Sequence, residues 1–341
     1  MNKTYNVAVV GATGAVGTMM LSILAERNFP VGQVYPLASA RSQGKKILFK
    51  EKELTVEDVS KFDFSKTHFA LFSAGSEVSA EYAVKAAKAG CIVIDNTSCF
   101  RYEPHIPLVI AEVNPEALEN YASSNIIANP NCSTMQMLVA LKPLHDAAGI
   151  SRINVATYQS VSGTGQEAIN ELLTQTQQVL AGKTASPEVY PCQIAFNVLP
   201  HIDSFQENGY TREEMKMVWE TQKILGDETI LVNPTAVRVP VLYGHAEAVH
   251  IETHTKLTAN EAKEILAKAP GVKVIDDPIS AIYPTPVTHA AGKDPVFVGR
   301  IREDISHPQG LNLWIVADNI RKGAALNAVQ IAEILVERFL R

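Results

Sequence analysis

Short apolar runs broken by stretches of helical periodicity set the rhythm of the first third of the chain. Residues 6–10 are a valine-rich run that meets Gly11-Ala12-Thr13-Gly14-Ala15-Val16-Gly17, after which Met20, Leu21 and Leu24 recur at helical spacing. That order predicts a strand, a glycine turn and a helix. Residues 34–38, 69–73 and 91–95 predict three further strands and residues 77–89 a helix. Strands alternating with helices predict a parallel, doubly wound sheet. Residues 40–61 are more polar and predict short strands or an excursion from that sheet.

The pattern changes after Asn129-Pro130-Asn131. Cys132–Ala148 is a long apolar-periodic helix. Strand-like runs at 153–161, 193–198, 230–239, 246–255 and 311–317 follow, with helices expected near 166–180, 212–225 and 260–267. This reads as a mixed sheet with helices on one face. Residues 322–338 place Ala325, Leu326, Val329, Ala332 and Val336 on one helical stripe, which predicts an amphipathic helix returning to the first domain.

Composition narrows the picture. A chain of 341 residues is long for one core and right for two domains. Hydrophobic residues at 46% against 19% charged describe an ordinary globular protein, not a disordered or fibrous one. The formal net charge of −6 offers no basic footprint for nucleic acid, so an anionic substrate must be met by a few local Arg and Lys side chains. The N-terminus runs straight into an apolar strand, leaving no room for a signal core or a membrane span, so the cytoplasm is expected. Cys91, Cys99, Cys132 and Cys192 show no zinc-type spacing, and neither a metal site nor a disulfide framework is expected.

A helix N-terminus after a strand offers backbone N–H groups and partial positive charge to a pyrophosphate, and glycine lets the phosphate approach. The turn is G-x-x-G-x-x-G, a weak motif alone, but it stands between the first strand and the first helix. Gly11, Thr13, Gly14, Ala15 and Val16 are therefore candidate nucleotide contacts. The second strand runs out into Ser39-Ala40-Arg41-Ser42 with no carboxylate nearby. An acidic residue there bonds the ribose of NAD, whereas Arg41 with Ser39 and Ser42 suits the 2′-phosphate of NADP. Arg41 as a solvated loop residue is the alternative.

Cys132 begins its helix after Pro130, which forces the preceding residue out of helical geometry, with Asn131 placed as N-cap. A thiol there is biased toward thiolate, and the first N–H groups can meet a developing oxyanion. By composition a packing role is open for every cysteine, and Cys91 and Cys99 fit it. The chain resembles the aspartate-semialdehyde dehydrogenase family, itself similar in architecture to glyceraldehyde-3-phosphate dehydrogenase. The resemblance rests on the glycine turn, Ser98-Cys99-Phe100-Arg101, Asn129-Pro130-Asn131-Cys132-Ser133-Thr134, Gln159-Ser160-Val161-Ser162-Gly163, Glu213-Glu214-Met215-Lys216, Arg238-Val239-Pro240-Val241 with Gly244-His245-Ala246-Glu247, and Asp318 to Ala325. These blocks run in order over nearly the whole chain.

The resemblance implies an α/β fold: a Rossmann-like domain over 1–131 that binds NADP and is completed by 319–341, and an α+β catalytic and dimerisation domain with a mixed sheet over 132–318. It implies Cys132 as nucleophile, His245 as general acid and base, and Gln159 orienting the substrate. It places Arg238 on the substrate carboxylate, Arg101 and Lys216 around the phosphate, Glu213 toward the amino group, Asn131 among the substrate contacts, and Ser162, Gly163 and Asn319 near the nicotinamide. His201, His250 and His254 compete with His245 on composition alone. The implied reaction is NADPH-dependent conversion of L-aspartyl 4-phosphate to L-aspartate 4-semialdehyde and phosphate through a cysteine thioester, toward lysine, threonine and methionine, by a homodimer. Rival readings are an N-acetyl-glutamyl-phosphate reductase, a non-catalytic nucleotide-binding protein and a cysteine hydrolase.

Overall fold

The structure, a computed structural model, describes residues 3–340. Two compact units divide the chain, one holding the residues up to Asn131 together with Ala324 onward, the other Cys132–Gly323.

In the first unit, strand β1 (Tyr5–Val10) leads into helix α1 (Ala15–Glu26), then β2 (Val31–Ala38), the hairpin β3 (Lys46–Phe49) and β4 (Lys52–Thr55), and β5 (Glu57–Asp58). Next come β6 (Phe69–Phe72), a helical segment α2 over residues 76–88 that is π-wound at Ser79–Ala83, β7 (Ile92–Asp95) and β8 (Ile126–Ala128). Six strands form one parallel sheet in the order β5-β2-β1-β6-β7-β8. The order turns back at β1, so ligand-binding loops belong at the carboxyl ends of β1 and its neighbours. Val7, Val9, Leu71 and Ile94 from the sheet pack against Leu21 and Leu24 of α1 and against Val329 and Ala332 near the C-terminus. The polar stretch after β2 forms the β3–β4 hairpin, the excursion its composition predicts.

The second unit opens with α3 (Cys132–Ala148) and continues through β9 (Ile150–Gln159), α4 (Gln166–Leu180), α5 (Arg212–Leu225), β10 (Leu231–Arg238) and β11 (His245–Thr253). It closes with α6 (Ala259–Lys268), β12 (Val272–Val274), β13 (Val296–Glu303) and β14 (Gly310–Ala317). A final helix, α7 (Asn327–Arg338), belongs to the first unit. The six strands form a mixed sheet in the order β10-β9-β11-β14-β13-β12, with β9 parallel to β10 and antiparallel to β11. Helix α3 lies on the face that carries the buried alternate positions of β9, β11 and β14. The opposite face carries Asn154, Tyr158, His250 and Trp314, none of them buried.

One expected strand is absent. Residues 193–198 form turns, because the Gln175 side chain on α4 takes the N–H groups of Ile194 and Ala195 at 2.9 and 3.2 Å, and Phe196 sits at φ 60°. Those donors are lost to any ladder. Strands β8, β12 and β13 were not predicted, and β13 shows why: its run is broken at Gly299-Arg300, where Arg300 has φ 53° and the register to β14 shifts.

Candidate active site

One end of the mixed sheet gathers the candidate side chains of the second unit. Strands β9 and β10 end together, and their parallel register sets Arg238 opposite Gln159. Strand β11 starts there with His245, opposite Ala317 at the end of β14. Thr157 and Glu247 are cross-strand partners, so Gln159 and His245, each two residues away, project from the same face, the one covered by α3. Cys132 heads that helix and is partly accessible. Gly323 is required beside it, since a Cβ there would lie 2.8 Å from the Cβ of Cys132.

Helix α5 contributes the charged partners. Thr211 and Glu214 form a capping box at its start, and Glu214 also accepts from Ala236 N at 2.9 Å. With Glu214 so engaged, Glu213 and Lys216 stand one turn apart facing the site. Glu213 Oε1 accepts from Gln159 Nε2 at 3.2 Å, and its Oε2 accepts from Lys216 Nζ at 3.0 Å. Lys216 also donates to Asp203 at 2.8 Å. Burial works against the lysine charge, but the carboxylates of Glu213 and Asp203 outweigh it and raise the pKa above its ordinary value. Lys216 is therefore a fixed cation.

Arg238 is buried, donates from Nη1 to Ser160 O at 2.7 Å, and leaves its buried Nε without a partner among the described residues. His245 is fully buried. Its Nδ1 accepts from Ser160 N at 3.1 Å, which puts the proton of the neutral ring on Nε2, and that buried nitrogen also lacks a partner among the described residues. Burial, then the Arg238 charge, push the imidazole pKa down to about 3, with Glu213 opposing. Ser160 Oγ lies 3.0 Å from the same Nδ1. A Cβ on Gly163 would come within 3.1 Å of Arg238 Nη1 and 3.3 Å of His245 Nε2, so glycine keeps that space clear.

Asn319 stands behind the histidine. Its Oδ1 accepts from Gly244 N at 2.9 Å, Ser160 Oγ at 3.1 Å and Ser162 Oγ at 3.2 Å, and its Nδ2 donates to Ser162 Oγ at 3.0 Å. Gly244, at φ 88°, has room for no side chain because Pro286 lies where one would go. His201, His250 and His254 lie elsewhere: His201 stacks on Phe205, His250 pairs with Asp304 at 2.7 Å, and His254 packs over Gly149.

In the first unit, Gly11 at φ 87° passes so close to the chain that a Cβ would sit 2.4 Å from Ser73 O, and one on Gly17 would sit 2.2 Å from Gly11 O. Gly14 is the N-cap of α1 and offers no side chain to its first amides, and the first turn carries no acidic residue. Thr13 and Gly14 are exposed, with Ala15 and Val16 half-buried. Bare N–H groups without a neighbouring carboxylate fit a pyrophosphate. Ser39, Arg41 and Ser42 lie at and just before the 3-10 turn beyond β2, with Arg41 exposed. Arg101 and Asn131 are buried in this unit, and Arg101 Nη2 donates to Asn96 O at 2.7 Å. Among the described residues no cluster of His, Cys, Asp and Glu is arranged to hold a metal, and no helix is long and apolar enough to cross a membrane.

Ser160, Asp203 and Gly323 were not singled out from the sequence. Ser160 lies inside a block that was, between Gln159 and Ser162. Asp203 has no local signal, since only the fold brings it to Lys216.

A nucleotide-type parallel sheet is joined in one chain to a mixed sheet with a cysteine-headed helix. Residues 6–121 match the family described as semialdehyde dehydrogenase, NAD binding domain, and residues 141–322 match semialdehyde dehydrogenase, dimerisation domain. The chain is 65% identical over 340 residues to the aspartate-semialdehyde dehydrogenase of Legionella pneumophila, covering 100% of this chain and 98% of that one. It matches a crystal structure of aspartate semialdehyde dehydrogenase II from Vibrio cholerae complexed with ASA at a TM-score of 0.97 and 58% identity, over 99% and 100% of the two chains. A structure of the Candida albicans aspartate semialdehyde dehydrogenase with NADP matches at a TM-score of 0.76 and 25% identity, over 98% and 99%. The chain belongs to the aspartate-semialdehyde dehydrogenase family and is an oxidoreductase of the aspartate pathway.

Proposed function

We propose that this enzyme uses NADPH to convert L-aspartyl 4-phosphate reversibly to L-aspartate 4-semialdehyde through a thioester on Cys132. The observation that carries this reading is the pair of buried donors, Arg238 Nε and His245 Nε2, left without partners among the described residues beside Gly163, where no side chain fits without crowding them. Orphaned donors of this kind are what a bound carboxylate and a reacting oxygen require.

Cys132 Sγ attacks the acyl carbon, the carbon–oxygen bond to phosphate breaks, and phosphate leaves. When bound, NADPH supplies hydride to the acyl carbon. Arg238 grips the substrate carboxylate as a fork, Glu213 faces the amino group, and Gln159, tied to Glu213, orients the thioester carbonyl. His245 offers its Nε2 proton to the oxygen as charge develops there, while its Nδ1 stays the acceptor of Ser160 N–H. As the carbonyl of the aldehyde re-forms, the carbon–sulfur bond breaks, Cys132 leaves as the thiolate and the oxygen returns the shared proton to His245 Nε2. Arg101 and Lys216 hold the phosphate, and Asn131 is a further substrate contact.

Gly11, Thr13, Gly14, Ala15 and Val16 hold the pyrophosphate, Ser39, Arg41 and Ser42 the 2′-phosphate, and Ser162, Gly163 and Asn319 the nicotinamide side. Residues 1–131 with 319–341 are assigned to NADP, and 132–318 to catalysis and dimerisation. The open face of the mixed sheet, where Tyr158 and Trp314 rings lie 5.5 Å apart, is assigned to a second copy of the chain in a cytoplasmic homodimer. The decisive assay is phosphate-dependent NADP reduction with aspartate semialdehyde. Cys132→Ala is expected to abolish turnover with NADP binding nearly unchanged; residual turnover above a few per cent of wild type would overturn the thioester route.

A further inference from the structure

Within the first unit, three asparagine side chains make a continuous chain of hydrogen bonds. Asn327, at the start of α7, donates from Nδ2 to Asn129 Oδ1 at 2.6 Å and to Val109 O at 2.9 Å, while its Oδ1 accepts from Ala111 N at 3.0 Å. Asn129 Nδ2 donates to Asn96 Oδ1 at 2.6 Å and to Ala324 O at 3.1 Å. Asn96 Nδ2 donates to Phe72 O at 3.1 Å, and its backbone carbonyl accepts from Arg101 Nη2 at 2.7 Å. Asn129 and Asn327 are fully buried.

The loop between β7 and Arg101 is held from its other side too. The buried Asp95 carboxylate accepts from Ser79 Oγ at 2.8 Å, Thr97 N at 3.1 Å and Thr97 Oγ1 at 2.7 Å, and Thr97 Oγ1 accepts from Cys99 N at 3.2 Å. Apolar side chains would fill the same core at no desolvation cost, whereas each buried amide costs roughly 1–3 kcal/mol unless it is fully paired. A network this complete fixes one geometry of its backbone, and the backbone it fixes presents Arg101.

We infer that Asn129 is a positioning residue for the anion pocket: through Asn96 it fixes the loop that holds Arg101, and so sets how Arg101 meets inorganic phosphate. The inference rests on the assignment of Arg101 to phosphate made above. The test uses the full-length enzyme in the phosphate-dependent direction, comparing Asn129→Ala, Arg101→Ala and the double variant.

Asn129→Ala is expected to raise the KM for phosphate about tenfold, with the KM for aspartate semialdehyde and for NADP changed less than about threefold, and to add nothing further in the Arg101→Ala background. If Asn129→Ala shifts all three KM values alike, or has the same effect with and without Arg101, the residue serves only stability and the inference is wrong. If Arg101→Ala alone leaves the phosphate KM unchanged, the assignment of Arg101 has failed and the inference goes with it. Should Asn129→Ala not yield folded protein, Asn96→Ala, at a half-buried position, removes the same link and is held to the same criteria.

Discussion

The two units each bury a set of polar side chains, and the sets differ in one respect. In the first unit the Asn96, Asn129 and Asn327 amides satisfy one another and the surrounding backbone at 2.6 to 3.1 Å. In the second unit Arg238 and His245, both buried, each keep one nitrogen with no partner among the described residues. A complete network holds a shape that folding alone can reach. An incomplete one is costly in the free protein, and that cost is recovered only when a ligand supplies the missing acceptors.

Arg238→Lys attacks that contrast most directly. A lysine can keep the contact to Ser160 O but has no second, coplanar nitrogen to offer a carboxylate. The kcat/KM for aspartate semialdehyde should fall about 10²- to 10³-fold, with most of the change in KM, while thermal stability stays near wild type. A loss smaller than about threefold in steady-state kinetics would mean that the orphaned guanidinium donor has no substrate role.

The same contrast explains what could be read without a structure. The strand, glycine turn and helix at residues 5–26 were legible because one local run specifies them, with Gly11 and Gly17 demanded by backbone contacts inside that run. Gln159, Arg238 and His245 meet through strand register between segments about eighty residues apart, which no local periodicity records, so the family blocks were needed to single them out. The turn at 193–198 looked like a strand because its apolar run is visible, whereas the Gln175 amide that captures its backbone lies eighteen residues upstream. Asn129 sat inside a recognised block, but its link to Asn96 and Asn327 exists only once β7, β8 and α7 are assembled.

Protonation tests the second unit's set in the free enzyme. His245 has a native pKa of about 3, below the ordinary value near 6.5, so above pH 6.5 both folded and unfolded chains carry it neutral. Between about 6.5 and 3 the unfolded chain binds a proton that the native one refuses, so the stability due to this site falls as pH falls, by up to roughly 1.4 kcal/mol per pH unit. Chemical denaturation at pH 7 and pH 5 should therefore show a wild-type loss about 2 kcal/mol larger than that of His245→Gln. Equal losses in the two proteins would place the imidazole in contact with solvent or with a carboxylate strong enough to hold its proton.

The smallest effect is expected one step further along the same face. Gln136 lies one helical turn beyond Cys132, and Glu247 lies two residues beyond His245, so this pair repeats the placement of Cys132 and His245 deeper in the core. Both are fully buried. Burial raises the Glu247 pKa well above the ordinary carboxyl value, with the Gln136 amide partly opposing. The native carboxyl therefore stays protonated where the unfolded one ionises, and its contribution is lost as pH rises from about 4.3 toward the native pKa. Glutamine has nearly the same shape and cannot ionise. Glu247→Gln should match wild type in unfolding free energy near pH 4.5 and exceed it at pH 8, with activity little changed. A variant less stable than wild type at pH 8 would show that Glu247 is charged in the native protein, and that the second unit buries an anion beneath its cysteine helix where a neutral acid is expected.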